Sequence, residues 1–271
     1  MHMPSVSRTD SQTDSLTGLK IGSLTGLAKR ASFSFTKLTT LLAAATVLSS
    51  VVTAPVHALT PYSAQYRFSI GSKVNGQATR QLTSTPSGQW HYQFNASVLG
   101  MASASESSDF QLSKGVVISQ QHQRQFKVLL KSRKSSIAFQ PASRTLALQS
   151  EKRQETLNYP ESAQPLDELN LEIQLREDLK AGKLKDRYVL VNDKGFQNLI
   201  IVNEGKATVK TPAGSFETIC LRRVHDDPTR ITRFWFAPSL DYLPVQVRQD
   251  DDGMRYQLML NRYQPTASAS K

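Results

Sequence analysis

The stretch Thr211–Val247, TPAGSFETICLRRVHDDPTRITRFWFAPSLDYLPVQV, alternates apolar-rich runs with turn-forming residues. Proline holds φ near about −65° and glycine tolerates positive φ, so Pro-Ala-Gly, Asp-Asp-Pro and Ala-Pro-Ser each indicate a turn. The runs between these turns are typical of strands: Ser215–Val224, Ile231–Phe236 and Leu243–Gln249. Three strands in a row joined by short turns predict an antiparallel meander.

The same stretch also carries a recognisable motif. It consists of the turn Pro-Ala-Gly-Ser-Phe-Glu-Thr, a strand end at Arg222-Arg223, and the run Arg-Phe-Trp-Phe-Ala-Pro-Ser-Leu-Asp-Tyr-Leu-Pro-Val from Arg233 to Val245. The motif resembles the C-terminal signature of an exported bacterial family, domain of unknown function family 3108, and the resemblance covers Leu59 to Tyr263. It implies an envelope protein rich in β-structure, and it implies no established catalytic residues.

The strand pattern recurs along the chain from residue 62. Apolar and polar residues alternate over Tyr62–Ile70, and the alternation returns after the Pro-Ser-Gly turn at residues 86–88. Residues 98–108 fit either a loop or a strand with small inward side chains, and Asn203-Glu204-Gly205 indicates a turn. We therefore predict a mainly β fold: an antiparallel meander that forms a curved sheet or a barrel-like single domain, with one covering α-helix.

The helix is predicted where the period of the apolar residues changes. Apolar side chains recur at helical spacing at Leu166, Leu169, Ile173, Leu175 and Leu179. Acidic residues lie early in this segment and Lys180 lies late, which suits the helix dipole, and Gly182 is expected to end the helix. A helix of about 15 residues in a β protein must bury its apolar side, so we predict that it caps a barrel mouth or covers a sheet edge.

The first 58 residues have the organisation of an export leader. After an extension rich in Ser, Thr and Gly, cationic residues precede the apolar run Leu38–Val52, and Val56-His57-Ala58 has the small-x-small pattern of a cleavage site. We predict cleavage after Ala58 and a periplasmic location. The alternative is a transmembrane anchor, for which the run is short, because a span needs about 20 residues.

We predict three parts: residues 1–58 as N-terminal extension plus cleaved signal peptide, residues 59–264 as a single β-rich domain, and residues 265–271 as a polar tail.

The charge balance indicates the kind of partner. The chain has 33 Lys and Arg against 22 Asp and Glu, a net charge of +11. This excess favours an anionic lipid, a glycan or an envelope protein as partner. Export argues against nucleic acid, and no stable membrane span is expected after signal cleavage.

The most basic stretch after the leader is Gln121–Lys134. Its cationic side chains are His122, Arg124, Lys127, Lys131, Arg133 and Lys134. If this stretch is one unbroken strand, alternation places Arg124 and Lys134 on one face and Lys127, Lys131 and Arg133 on the other. Two interpretations stay open: a solvated sheet face, or a shallow site where several cations act together on a phosphate or carboxylate.

No catalytic constellation is apparent in the sequence. The three histidines after residue 58 lack the spacing of metal ligands, so we expect no metal and no cofactor. Cys220, the single cysteine, is interpreted as a small buried residue, because His225 lies about 16 Å further along an extended strand. Asp226-Asp227 and Asp241 offer carboxylates for glycoside cleavage, although Asp beside Pro is more typical of turns.

The strongest candidates for ligand binding lie in the opening stretch. Arg222, Arg233 and Arg248 fall on three successive predicted strands, near Trp235 and Tyr242. Cross-strand neighbours stand about 5 Å apart, so aligned guanidinium groups can converge on one anion. The alternative is that these arginines only hold the sheet together by pairing with acidic side chains. The acidic candidates are Glu217, Asp226 and Asp241.

These features favour a non-catalytic binding or chaperone-like module for an envelope lipid, glycan or protein. One alternative is a hydrolase acting on an envelope polysaccharide or another envelope polymer, and another is a structural partner in an envelope complex. An enclosed apolar cavity would favour the binding module, and two facing carboxylates in a polar cleft would favour the hydrolase. A filled core with an exposed apolar patch would favour the structural partner.

Overall fold

A computed structural model describes residues 59–72, 74–98 and 101–266. The predicted extension, the signal peptide and most of the polar tail lie outside the described residues. The described part forms one α-helix, α1 (Glu168–Ala181), and a single turn of 3-10 helix at Pro238–Leu240. Its strands are β1 (Tyr62–Ile70), β2 (Val74–Ser84), β3 (Gln89–Val98), β4 (Ala102–Ser113), β5 (Val116–Val128), β6 (Lys131–Gln140), β7 (Thr145–Ser150), β8 (Gln154–Asn158), β9 (Pro165–Leu166), β10 (Arg187–Asn192), β11 (Gly195–Thr211), β12 (Gly214–Val224), β13 (Ile231–Ala237), β14 (Leu243–Asp251) and β15 (Met254–Pro265).

All of these strands belong to one sheet. Its order is β8-β7-β6-β5-β4-β3-β2-β1-β15-β14-β13-β12-β11-β10-β9. Neighbours are antiparallel except β9 and β10, which run parallel. The first and last strands pair in the middle of the sheet, with Tyr62 opposite Pro265. The predicted mainly β fold, an antiparallel meander in a curved sheet, is confirmed, and the sheet stays open because β8 and β9 are its edges.

The two sides of the sheet approach each other through side chains. Ile137 of β6 and Leu148 of β7 share a small buried cluster with Val191 of β10. Next to it, the rings of Tyr159 and Phe196 meet edge to face, with centroids 6.4 Å apart. The curvature is therefore held by apolar contacts between strands that are far apart in the sheet order.

Helix α1 lies inside this curve. Asp167 caps its start by accepting hydrogen bonds from the backbone of Leu169 and Asn170, and Gly182 ends it with φ 63°, as predicted. Residues 169–179 are all buried, and the helix contacts β3, β4, β5, β9 and β10. It fills the interior of the sheet, whereas the sequence predicted a cover for a mouth or an edge.

The helix occupies the interior because its polar residues have buried partners. Arg80 of β2 forms an ion pair with Glu172, and the hydroxyl of Tyr92 donates to the same carboxylate at 2.5 Å. Arg176 donates to the Tyr62 hydroxyl at 3.3 Å. Apolar periodicity predicts the helix but not the burial of its polar side, because a buried charge is tolerated only when a partner from elsewhere in the chain meets it.

One region of the sheet settles an alternative that the sequence left open, and another contradicts a predicted turn. Residues 98–108 stood open between loop and strand, and β4 extends through most of them, pairing Glu106 with Arg124. The turn predicted at Asn203-Glu204-Gly205 was wrong: β11 runs straight through it with a β-bulge against β12. Gly205 has φ 92°, which suits a bulge as well as a turn, so composition alone could not separate the two.

Candidate functional site

Three of the predicted binding residues line up across the sheet. Arg222 of β12 lies opposite Arg233 of β13, and Arg233 lies opposite Arg248 of β14. The Arg248 guanidinium lies over the Trp235 ring, 5.7 Å from its centroid. We call Arg222, Arg233 and Arg248 the arginine cluster. Tyr242 stands apart from it, since it follows the 3-10 helix beyond the end of β13 and packs against the main core.

Carboxylates lie within the arginine cluster. Glu204, carried by the bulge of β11, accepts hydrogen bonds from Arg222 Nε at 2.7 Å and from Arg233 Nε at 2.6 Å. Arg248 Nε forms an ion pair with Asp250 at 3.0 Å. The hydrogen bond from Arg233 lowers the pKa of Glu204, so this carboxylate remains ionised. The acidic partners differ from those expected on sequence, because the sequence predicts a turn where the bulge of β11 places Glu204.

A second cationic region lies at the end of the sheet where α1 begins. A cleft of about 630 Å³ opens between β5–β7 and the β10–β11 hairpin. We call it the basic cleft. Its charged lining residues are the cations Arg124, Arg133, Lys134, Lys152, Arg153 and Lys194 and the acids Glu151, Glu168 and Asp193. Cations therefore outnumber carboxylates two to one around this opening.

The β5–β6 hairpin forms one wall of the basic cleft. The condition of one unbroken strand is not met here, because the chain reverses between Val128 and Lys131. Arg124 then lies opposite Ser135, and Phe126 lies opposite Arg133. Paired residues share a face, so the hairpin places Arg124 with Arg133 and sends Lys134 to the other face, the reverse of the sequence assignment.

The inner end of the basic cleft is internally paired. Arg124 Nε lies 3.1 Å from Glu106 Oε1, and Arg124 Nη1 lies 4.0 Å from Glu168 Oε2. Burial raises the pKa of Glu106, and the neighbouring Glu106 carboxylate raises the pKa of Arg124. Glu168 lines the cleft and Glu106 does not, so the two carboxylates are not presented together to a ligand.

The outer rim of the basic cleft is not neutralised in this way. Arg153 pairs with Glu155 at 2.5 Å. Among the described residues, the side chains of Arg133, Lys134, Lys152 and Lys194 take part in no ion pair. Cations from three separate turns and hairpins thus surround one opening without carboxylate partners. Such an arrangement suits a ligand that brings its own negative charge.

Next to the basic cleft lie a serine, a histidine and an aspartate that sequence reasoning did not connect. Ser108 Oγ donates to Asp167 Oδ1 at 2.6 Å and lies 3.1 Å from His122 Nδ1. Asp167 Oδ1 is 3.5 Å from the same ring nitrogen. In a nucleophilic triad the serine and the acid contact opposite ring nitrogens. Here both face Nδ1 and all three side chains are buried, so the group fixes the start of α1.

The carboxylates considered for hydrolysis are far apart. Asp226 and Asp227 follow β12, whereas Asp241 follows β13, so they lie at opposite ends of that strand. Seven extended residues span roughly 20 Å. Asp241 is also paired with Lys180 at 2.6 Å and with Arg176 at 3.2 Å. These groups do not form a facing carboxylate pair.

The cysteine and the possible metal ligands can be assessed directly. Cys220 is buried, and its thiol lies 3.6 Å from a Glu204 oxygen. Burial raises the pKa of Cys220 to about 11, which keeps the thiol protonated. Within residues 59–72, 74–98 and 101–266, no group of three or more His, Cys, Asp and Glu side chains is placed to hold a metal ion.

The fold and the cleft together define a class: a barrel-like protein in which one open, curved antiparallel sheet surrounds a buried helix and carries a basic opening at one end. The chain belongs to the family described as Protein of unknown function (DUF3108), whose family model matches residues 61–259. No curated protein matches the chain.

One solved structure agrees with this architecture. The chain is similar to a β-barrel-like protein of domain of unknown function DUF1849 from Brucella abortus, with 11% identity, a TM-score of 0.52, and coverage of 78% of this chain and 99% of that one. That likeness shows the fold. The chain is less similar to a chain in the MucA/MucB complex of Pseudomonas aeruginosa, with 7% identity, a TM-score of 0.31, and coverage of 78% and 54%.

Of the described residues, none forms a helix with the length and apolar character needed to cross a membrane.

Proposed function

We propose that this protein is an exported, non-catalytic binding module of the cell envelope that holds an anionic ligand in the basic cleft. The observation that carries the proposal is the set of rim cations, Arg133, Lys134, Lys152 and Lys194, which have no carboxylate partner in the described part of the chain. The proposal includes cleavage after Ala58, a periplasmic location and a single domain over residues 59–264, all supported by the sequence pattern.

The lining of the basic cleft indicates the chemical class of ligand. Phosphate and carboxylate groups match guanidinium and ammonium donors, and a volume of about 630 Å³ accommodates a group larger than a single anion. The cleft also exposes apolar surface from Phe126, which is 42% exposed, whereas its other apolar lining residues, Ile137 and Val191, are buried. A phosphate- or carboxylate-bearing lipid or glycan has both properties. Because α1 fills the interior, the ligand is held in an open cleft and not in an enclosed apolar cavity.

The arginine cluster is a second proposed contact for the same partner or for an envelope protein. Its three arginines share the carboxylates of Glu204 and Asp250, and the side chains of Arg222, Arg233 and Arg248 are 33%, 25% and 28% exposed. With Trp235 beside them, they can add a charge-assisted contact. The contribution per residue should be smaller than at the rim of the cleft, because an incoming anion must compete with carboxylates already in place.

The test is native mass spectrometry of the processed protein purified gently from the periplasm, with extraction of lipids and glycans from the same sample. The double variant Lys152→Gln/Lys194→Gln should lose a co-purifying anionic molecule, with affinity falling about tenfold for each charge removed. The matched control is Lys206→Gln/Lys210→Gln, which removes two exposed lysines from β11, away from the cleft. A bare polypeptide mass for the unmodified protein, unchanged after envelope extract is added, would refute the proposal.

A further inference from the structure

The tip of the β5–β6 hairpin, Phe126–Lys131, is the most exposed apolar feature among the described residues. Leu129 is 77% exposed and Leu130 is 102% exposed. Both leucines stand in the two-residue turn between Val128 and Lys131, which face each other in the register. Scattered surface leucines are common, but two adjacent ones at the end of a projecting hairpin form a patch that calls for a partner.

Turn chemistry does not account for these leucines. Leu129 has φ 51°, the left-handed conformation in which Asn or Gly is favoured and a leucine is strained. Neither leucine gains burial within the described structure in return. A residue that is unfavourable for its turn conformation and makes no compensating contact within the protein indicates a role in binding a partner.

The apolar patch extends across a neighbouring turn. The Leu129 backbone N–H donates to the Met101 carbonyl oxygen at 3.0 Å, which ties the two turns together. Met101 is 55% exposed, Phe126 is 42% exposed and Val128 is 40% exposed. The tip therefore presents an apolar surface made by several side chains on a backbone that is fixed by hydrogen bonds.

The charges around the tip are all of one sign. Lys127 and Lys131 flank the leucines, and Arg133 and Lys134 follow on β6. From Gln121 to Lys134 the sequence has no Asp or Glu. An apolar tip inside a collar of cations is complementary to an anionic bilayer surface, where leucines enter the headgroup region and lysines meet phosphates.

We propose that this hairpin tip docks the protein on the surface of a bilayer that contains anionic phospholipid. The inference goes beyond the proposed binding function, because it concerns the tip and not the rim cations of the cleft. Phe126, Arg133 and Lys134 belong to the hairpin and also line the basic cleft, so docking brings the cleft mouth close to the lipid headgroups. The inserted residues are Leu129 and Leu130, and the cations remain in water at the interface.

The experiment is co-sedimentation of the processed protein with vesicles of equal parts phosphatidylglycerol and phosphatidylcholine, compared with vesicles of phosphatidylcholine alone. We expect binding to the mixed vesicles that weakens with salt. L129N/L130G should lower the partition coefficient on the order of tenfold per leucine. Lys127→Gln/Lys131→Gln should lower it about fivefold per lysine. The matched control V116N polarises an exposed valine at the other end of β5 and should leave binding unchanged.

Folding is checked on the same samples. Leu129→Asn places a residue that tolerates the left-handed conformation at the strained position, so the midpoint of thermal unfolding of L129N/L130G should stay close to that of the unmodified protein. Leu129 and Leu130 do not line the cleft, so L129N/L130G should lose vesicle binding and still retain the co-purifying anionic molecule, which separates this proposal from the one for the cleft. Equal sedimentation of L129N/L130G and unmodified protein would overturn the proposal. Absence of vesicle binding, with a concentration-dependent dimer that L129N/L130G abolishes, would overturn it in favour of a second copy as the occupant.

Discussion

The arginine cluster and the rim of the basic cleft are both cationic, but only the arginine cluster is neutralised from within. In the arginine cluster, Glu204 and Asp250 contact the guanidinium groups at 2.6 to 3.0 Å. At the rim of the cleft, the four cations without an ion pair stand on three separate hairpins and turns. Pairing inside the fold is expected where a cation stabilises the sheet, and its absence is expected where a ligand supplies the charge.

The difference has a structural cause. Glu204 sits on a bulge, which re-aims its side chain toward arginines on the next strands. The rim cations Lys152 and Lys194 lie in the turns after β7 and β10, and in the described structure they form no ion pair with the neighbouring Glu151 and Asp193. Three predictions test whether pairing separates structural cations from binding cations, beginning where burial makes pairing most important.

The largest effect is expected at the buried pair of Arg80 and Glu172. Their side chains are each 7% exposed. Glu172→Gln keeps the size of the side chain and an acceptor for Tyr92, but it leaves the Arg80 charge without its counter-ion. Because an uncompensated buried charge is strongly unfavourable, the free energy of unfolding should fall by about 3–5 kcal/mol, measured by urea denaturation.

The control for this variant removes both charges. Arg80→Met/Glu172→Gln should regain much of the lost stability, and the double-mutant cycle gives the coupling between the two side chains. If Glu172→Gln costs less than about 1 kcal/mol, the interior tolerates an unpaired cation and pairing cannot be used to identify structural cations.

A smaller effect is expected in the arginine cluster. Glu204→Gln leaves Arg222 and Arg233 next to each other without their shared carboxylate, and these side chains are partly exposed. The free energy of unfolding should fall by about 1 kcal/mol. The lowered pKa of Glu204 sets the pH range over which its carboxylate stabilises the fold. Its contribution is complete above the unfolded-state pKa and is lost as pH falls through the lower folded-state pKa.

Unfolding curves of the two proteins at neutral and acidic pH measure this contribution. The difference between unmodified protein and Glu204→Gln should shrink on acidification. Glu217→Gln is the matched control, since Glu217 is an exposed glutamate of β12 whose hydrogen bond from Thr208 a glutamine can also accept. A pH-independent difference would assign the loss to packing and not to charge.

Sequence reasoning predicted the parts of the fold that are set by local pattern. The alternation over Tyr62–Ile70 and the three runs after Thr211 became strands, and Gly182 ended the helix. It did not predict the first half of β6 or strand β8. Residues 131–136 and 154–158 are mostly polar. Such strands form because neighbours offer backbone hydrogen bonds, and not because one face is apolar.

The candidate site was predictable in part for a related reason. Register followed from short hairpins, so the alignment of Arg222, Arg233 and Arg248 could be expected from the sequence. The basic cleft could not, because its walls come from β5–β7 and from the β10–β11 hairpin, which meet only when the sheet curls. The basic stretch Gln121–Lys134 was a usable signal, but the turn inside it lacks Gly, Pro, Asn or Asp.

The smallest effect on stability is expected at the rim of the cleft. Lys152→Gln/Lys194→Gln removes two cations that have no ion pair in the described structure, so the free energy of unfolding should change by no more than about 0.5 kcal/mol. The sign should be a slight gain at low salt, because repulsion from Arg133 and Lys134 is relieved, and the gain should fade as salt screens the charges. Urea denaturation at low and high salt measures it. A loss above about 1 kcal/mol would mean that these cations stabilise the turns after β7 and β10. Lys152 and Lys194 would then be structural cations, and the contrast between paired and ligand-binding cations would fail.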